Sequence, residues 1–189
     1  MRRLLPFVIL ALLVAPLYAQ PATQTSKTGP PAQPWGTWYW VTDISGVTGM
    51  TGSSLPTVIS FHEDGTFACA EGNSFGGVPN ATFVYTTGLG TWVRMGGGAI
   101  AFEATRLGFV FDKASGILKG IGRSRFTFRF AGDFEHITGT LFVETLSCAA
   151  PIFCPDPLDP DATWVPTSPP GGFSGTAMRV HAIPVPVEP

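Results

Sequence analysis

The sequence predicts an all-β protein: about eight antiparallel strands closed into an up-and-down barrel. Three observations carry this. Short runs rich in Phe, Val, Ile and Trp recur from Trp35 to Ile183, separated by Gly and Asp punctuation. Charged residues make up only 13% of the chain while Gly (23) and Pro (18) are abundant, a balance that suits turn-rich β structure. No window after the first residues repeats its apolar positions at the helical period. The pattern is fullest from Gly88 to Leu146, four apolar runs divided by Gly96–Gly98, Asp112–Gly116 and Asp133–Glu135. A sheet with one apolar face would leave long open edges. Closure removes them, and eight strands enclose room for packed side chains or one small ligand.

The first residues read differently. Arg2 and Arg3 precede an apolar run from Leu4 to Leu17, and Leu17-Tyr18-Ala19 ends in a small residue. Residues 1–19 therefore read as a secretory signal peptide, cleaved near Ala19, which places the mature protein in the periplasm or outside the cell. The run is short for a membrane span, and no later stretch is long and apolar enough, so no integral membrane segment is expected in the mature chain. Residues 20–34 are polar and Pro/Gly/Thr-rich, the composition of a flexible linker.

The barrel domain is expected over 35–183. Pro34–Val41 is the first strand, with Trp38 and Trp40 on one face. Ile44–Leu55 reads as a long loop, suited to a lid. Thr57–His62 and Thr66–Ala70 form a hairpin around Glu63-Asp64-Gly65, with Ile59, Phe61, Phe67 and Cys69 inward. Thr82–Thr86 is expected to continue, bent at Gly88 or Gly90, into Thr91–Arg94.

In Ala99–Phe111 the apolar parity changes from Ile100, Phe102 and Ala104 to Leu107, Phe109 and Phe111. This predicts a bulge near Thr105–Arg106 or burial of both faces. Ile117–Phe130 alternates cleanly, with Phe126, Phe128 and Phe130 on one face and Lys119, Arg123, Arg125 and Arg129 on the other. His136–Leu146 follows. Residues 147–171 hold seven prolines and read as a surface excursion, Phe173–Ile183 is the last strand, and 184–189 is a tail.

Three cysteines in an exported chain predict one disulfide. Cys148 and Cys154 enclose five residues in the excursion and are the expected pair, with Cys69 a buried thiol; pairing of Cys69 with either is the alternative. No Cys/His spacing matches a metal site, and no cofactor is indicated. Without Arg2 and Arg3 the chain has 9 basic residues against 13 acidic ones, a net charge of −4 that argues against nucleic-acid binding. The sequence leaves the oligomeric state open.

Gly36-Thr37-Trp38 resembles the Gly-x-Trp signature of the lipocalins and the wider calycin group. The resemblance implies that Trp38 closes the barrel floor and that Arg179, near the last strand, packs against it, a plausible geometry for a cation–π contact. The chain is also similar to the allene-oxide-cyclase and dirigent type of exported barrel, which implies an isomerase activity instead.

The expected function is the binding of a small apolar or amphipathic ligand. Ile59, Phe61, Phe67, Phe126 and Phe128 would line the site, with Trp38 and Arg179 at one end. Two alternatives stand beside it. One is a barrel isomerase in which Arg179 and His181, or an interior carboxylate, do the chemistry. The other is a side-chain-filled barrel serving as a structural or interaction module. The row Lys119, Arg123, Arg125, Arg129 would be an anion site if it faced inward. Because Phe126, Phe128 and Phe130 claim the interior, the row is expected outside, opposite Glu103, Glu135 or Glu144.

Overall fold

A computed structural model describes residues 34–45, 54–72, 82–95, 100–131, 135–149 and 153–181. The expected signal peptide, nearly all of the expected linker, the centre of the expected lid loop and the expected tail lie outside these residues.

Period-2 burial builds the strands. In β2 (Ser54–Phe61) Leu55, Thr57, Ile59 and Phe61 are buried and the residues between them are not. The same alternation is plain in β1 (Gly36–Asp43) and β3 (Thr66–Glu71) and over much of β6 (Ala101–Asp112) and β7 (Leu118–Phe130); the remaining strands are β4 (Phe83–Tyr85), β5 (Gly88–Arg94), β8 (His136–Ser147), β9 (Val165–Pro166) and β10 (Phe173–Arg179). All pairings are antiparallel. Eight strands close a ring in the order β1–β2–β3–β5–β6–β7–β8–β10, with β10 returning to β1. β4 pairs with β6 beyond the point where β5 leaves it, and β9 pairs with β8 beyond the point where β10 leaves it.

Closure needs backbones to come close at a few points. Gly90 and Gly139 are two of them: a Cβ at either would overlap the carbonyl oxygen of Thr105 or Thr127 on the neighbouring strand. At the tight turns Gly65 (φ 86°) and Gly116 (φ 69°) take the left-handed conformation. Beside them Asp64 accepts hydrogen bonds from the Thr66 hydroxyl (2.7 Å) and amide (2.9 Å), and Asp112 accepts from the Ser115 hydroxyl (2.7 Å) and amide (2.8 Å). These bonds hold both carboxyls below their usual value. The turn clamps are therefore present above the ordinary carboxyl range and are lost as pH falls through the depressed folded values.

The core is aromatic and concentrated at one end. Trp40 meets Phe128 edge-on at 5.3 Å, Phe61 lies 5.0 Å from Phe67 and 5.2 Å from Phe128, and Phe67 lies 5.4 Å from Phe126. Trp38 packs on Phe130 at 5.3 Å and donates from Nε1 to the Pro34 carbonyl at 2.8 Å. The Arg179 guanidinium sits 4.5 Å from the Trp38 ring centre, and its Nη1 donates to the Trp35 carbonyl at 3.1 Å. The indole and the arginine thus close the floor, the arrangement that the calycin resemblance implies.

Of the two readings of β6, partial burial of both faces is the one that holds. No bulge lies near Thr105–Arg106. Ala104, Arg106 and Val110 keep one inward parity, while Phe109 is exposed and Leu107 and Phe111 are half-buried on the outer side. The register shift comes later: Val110 faces Gly120 and Phe111 faces Leu118, so Lys119 is the extra residue. The apparent switch arose because an arginine holds an inward position. The break between β4 and β5 falls at Thr86-Thr87, one step before Gly88, and β10 ends at Arg179, leaving Val180 and His181 beyond it. Cys148 and Cys154 are bonded, and Cys69 is a buried free thiol.

Trp38→Ala should destabilise the fold by about 3–5 kcal/mol in urea unfolding, as for other buried aromatics. A loss below about 1 kcal/mol would show that the floor does not rest on Trp38.

A candidate ligand cavity at one end of the barrel

The inward series of β7 explains why one end is full and the other is not. Read backwards it is Phe130, Phe128, Phe126, Ser124, Gly122, Gly120. Three rings fill the floor half, then side-chain volume falls to nothing. The space above is a cavity of about 440 Å³, within the usual range of small-molecule pockets. Ile44 and Leu55 line it where β1 ends and β2 begins, Phe83 and Tyr85 from β4, and Val110 from β6. Leu141, Val143, Thr145 and Ser147 of β8, Val165 of β9 and Phe173 of β10 complete the wall. The two short strands β4 and β9 thus raise the wall above the closed ring. A Cβ at Gly122 would lie 3.3 Å from the Tyr85 ring, so that glycine seats the tyrosine.

Two polar groups of this end, Thr42 and Glu71, are buried, while Lys119, Ser147 and Thr167 line the cavity from exposed positions. Thr42 is fully buried, and its hydroxyl accepts from Trp40 Nε1 at 2.7 Å. Glu71, the last residue of β3, lines the cavity and is ion-paired to Arg106 of β6. Both side chains are almost wholly excluded from water. The arginine runs over Gly88, where any Cβ would collide with it, and its Nε makes no hydrogen bond among the described residues. Burial pushes the Cys69 thiol up, with Arg106 pulling the other way. Burial also raises the Tyr85 phenol, partly offset by its hydrogen bond with Thr145. Among the described residues the charged side chains of the wall are Glu71 and, at the bulge, Lys119.

The residues chosen from sequence as ligand contacts fall elsewhere in the same barrel. Ile59, Phe61, Phe67, Phe126 and Phe128 pack on one another below the cavity, and Trp38 and Arg179 form the floor. The cavity wall is a different set. Arg106 and Glu71 were missed, although the break in apolar parity at Arg106 was a visible signal.

Arg123 and Arg125 face outward, as expected, and bond Glu144 across the strand pair at 2.9 and 3.3 Å. Arg123 also lies 4.1 Å from the ring centre of Trp164, which packs the Pro-rich excursion onto the barrel. Arg129 is exposed. Arg179 and His181 share Glu135: His181 Nε2 is 2.6 Å from one carboxylate oxygen and Arg179 Nε is 3.8 Å from the other. That cluster lies at the floor end, away from the cavity.

His62 and His136 are exposed. Asp156 and Asp159 accept hydrogen bonds from the amides of Leu158 and Asp161 in their own loop. Among the described residues no three His, Cys, Asp or Glu side chains gather as a metal set, and no helix is long and apolar enough to cross a membrane.

No protein-family model, curated protein or solved structure matches the chain. The site's chemistry therefore rests on its own geometry.

Arg106→Leu should cost about 3–5 kcal/mol in urea unfolding, because it strands a buried carboxylate. Glu71→Gln combined with Arg106→Leu should recover most of that loss. A double variant as unstable as the single one would show that the arginine acts through packing alone.

Proposed function

We propose that this protein is an exported barrel of calycin-like build that holds a small apolar or amphipathic molecule in the cavity at one end. The observation that carries the reading is the 440 Å³ cavity, apolar over most of its wall, with one buried carboxylate–guanidinium pair at its edge. Apolar burial supplies affinity, and a few fixed polar groups orient the ligand. Glu71 accepts hydrogen bonds and Thr145 both donates and accepts, so a ligand with one polar end would find partners on opposite strands. The filled floor supports a container closed at the Trp38 end.

Export is supported by the basic and apolar leader of residues 1–19 and by the Cys148–Cys154 disulfide, which persists in oxidising compartments. The Gly36-Thr37-Trp38 motif and the stacking of Arg179 on Trp38 support a lipocalin-like relationship.

The neutral dye Nile red should gain fluorescence on titration with the purified protein. Val143→Trp, which fills the cavity from β8, should weaken that binding at least about tenfold, by volume exclusion in a packed site. Its near-ultraviolet circular dichroism should keep the native pattern. Equal dye binding by both proteins would place the dye outside the cavity and remove this reading.

A further inference from the structure

The buried polar groups of the cavity lie at its base, on one side of the ring. Trp40 of β1, Thr57 of β2 and Glu71 of β3 stand opposite one another in one inward row. Trp40 packs edge-on against Phe126 and Phe128, so this row is the level at which the packed rings end. Thr42, the next inward residue of β1, lines the cavity beside it. At the far extreme Phe83, Lys119, Ser147, Val165 and Thr167 line the cavity from exposed positions. We propose that the ligand is an apolar alcohol, lying with its hydroxyl against Glu71 at the base and its apolar body along the wall above. This assignment rests on the reading of the cavity as a ligand site, and adds the class and the direction of the ligand.

Glu71 decides the head group. Its side chain is almost wholly buried and lines the cavity, whereas Arg106 is not part of the wall. Arg106 stands opposite Gly90, level with Phe67, and its side chain crosses Gly88 to reach the carboxylate. The guanidinium therefore comes up from the packed half, and the cavity meets the acceptor. An ionised carboxylate accepts about four hydrogen bonds and donates none, so one that serves Arg106 can serve a ligand hydroxyl as well.

Charge narrows the class. A ligand carboxylate at the base would meet Glu71 with the nearby guanidinium already paired. An ammonium would leave water for a carboxylate whose charge Arg106 balances. A neutral hydroxyl costs least to desolvate and still donates. At the far extreme Lys119 offers an anion no comparable site, because it is exposed and its charge acts on Asp112. A hydrogen bond to a charged, water-poor acceptor is stronger than one to a neutral group. The site therefore selects for a donor as well as for apolar bulk.

Displacement of Nile red, which has no hydrogen-bond donor, tests this. 1-Decanol and methyl nonyl ether are isomers of equal length, and only the alcohol donates. The wild-type protein should bind decanol at least about tenfold tighter than the ether, and tighter than decanoate or decylammonium. In Glu71→Leu combined with Arg106→Leu, which removes both charges together, decanol and the ether should bind within about twofold of each other. Near-ultraviolet circular dichroism checks the fold of the double variant, and the ligand comparison on the wild-type protein stands without it. Equal displacement by decanol and the ether from the wild-type protein overturns the proposal and leaves the cavity as a binding site. Tighter binding of decanoate or decylammonium does the same, and so does a preference for decanol that persists in the folded double variant. Dye binding untouched by Val143→Trp, with displacement by none of these ligands, removes the cavity reading and this proposal with it.

Discussion

Strand β10 is bonded on both edges, to β1 from Trp38 to Thr42 and to β8 from His136 to Leu141. Every other property of the barrel depends on that double pairing. Without it the meander from β1 to β8 would keep two open edges, and its aromatic face would have nothing to close against. The pairing also sets Arg179 directly across from Trp38, so the register that closes the ring is the register that places the guanidinium on the indole. A slip of one residue would turn Ala177 outward and drive Met178 into the core.

Much of this architecture was legible because the two faces of most strands differ strongly. In β7 three phenylalanines alternate with arginines and a threonine, and only one of those sets can be inside. The Cys148–Cys154 pair was legible from its short spacing in a Pro-rich segment.

The cavity was harder to read. Its wall is built in part from positions that carry little signal singly: the end of β1, a three-residue β4 and a two-residue β9 with a proline. Gly120 and Gly122 read as points of curvature, and they also let the Leu146 backbone and the Tyr85 ring pack close against β7. Arg106 misled for a different reason. Alternation assigns charge to the solvent side, and the partner that makes an inward arginine tolerable, Glu71, is 35 residues away in sequence. A pairing between distant residues has no local signature.

The two halves of the interior carry different energetic burdens. The floor half is packed rings, where stability comes from apolar burial and edge-to-face contact. The other half holds a cavity and a desolvated ion pair, neither of which maximises stability. Proteins concede stability in this way where a site is needed. The strongly packed floor makes the concession tolerable, because it holds the eight strands in register from below.

The burial of Cys69 bears on how the chain matures. In an oxidising compartment three thiols allow three pairings, and two of them would tie the excursion to β3. Cys148 and Cys154 are six residues apart, whereas Cys69 is 79 residues from the nearer of them. Loop closure favours the short pairing while the chain is still open. Once the ring closes, the Cys69 thiol is buried and held protonated, which removes both its access and its nucleophile. The fold therefore acts as its own thiol-protecting group, and correct oxidation needs only that the local loop close before a long-range mispairing forms.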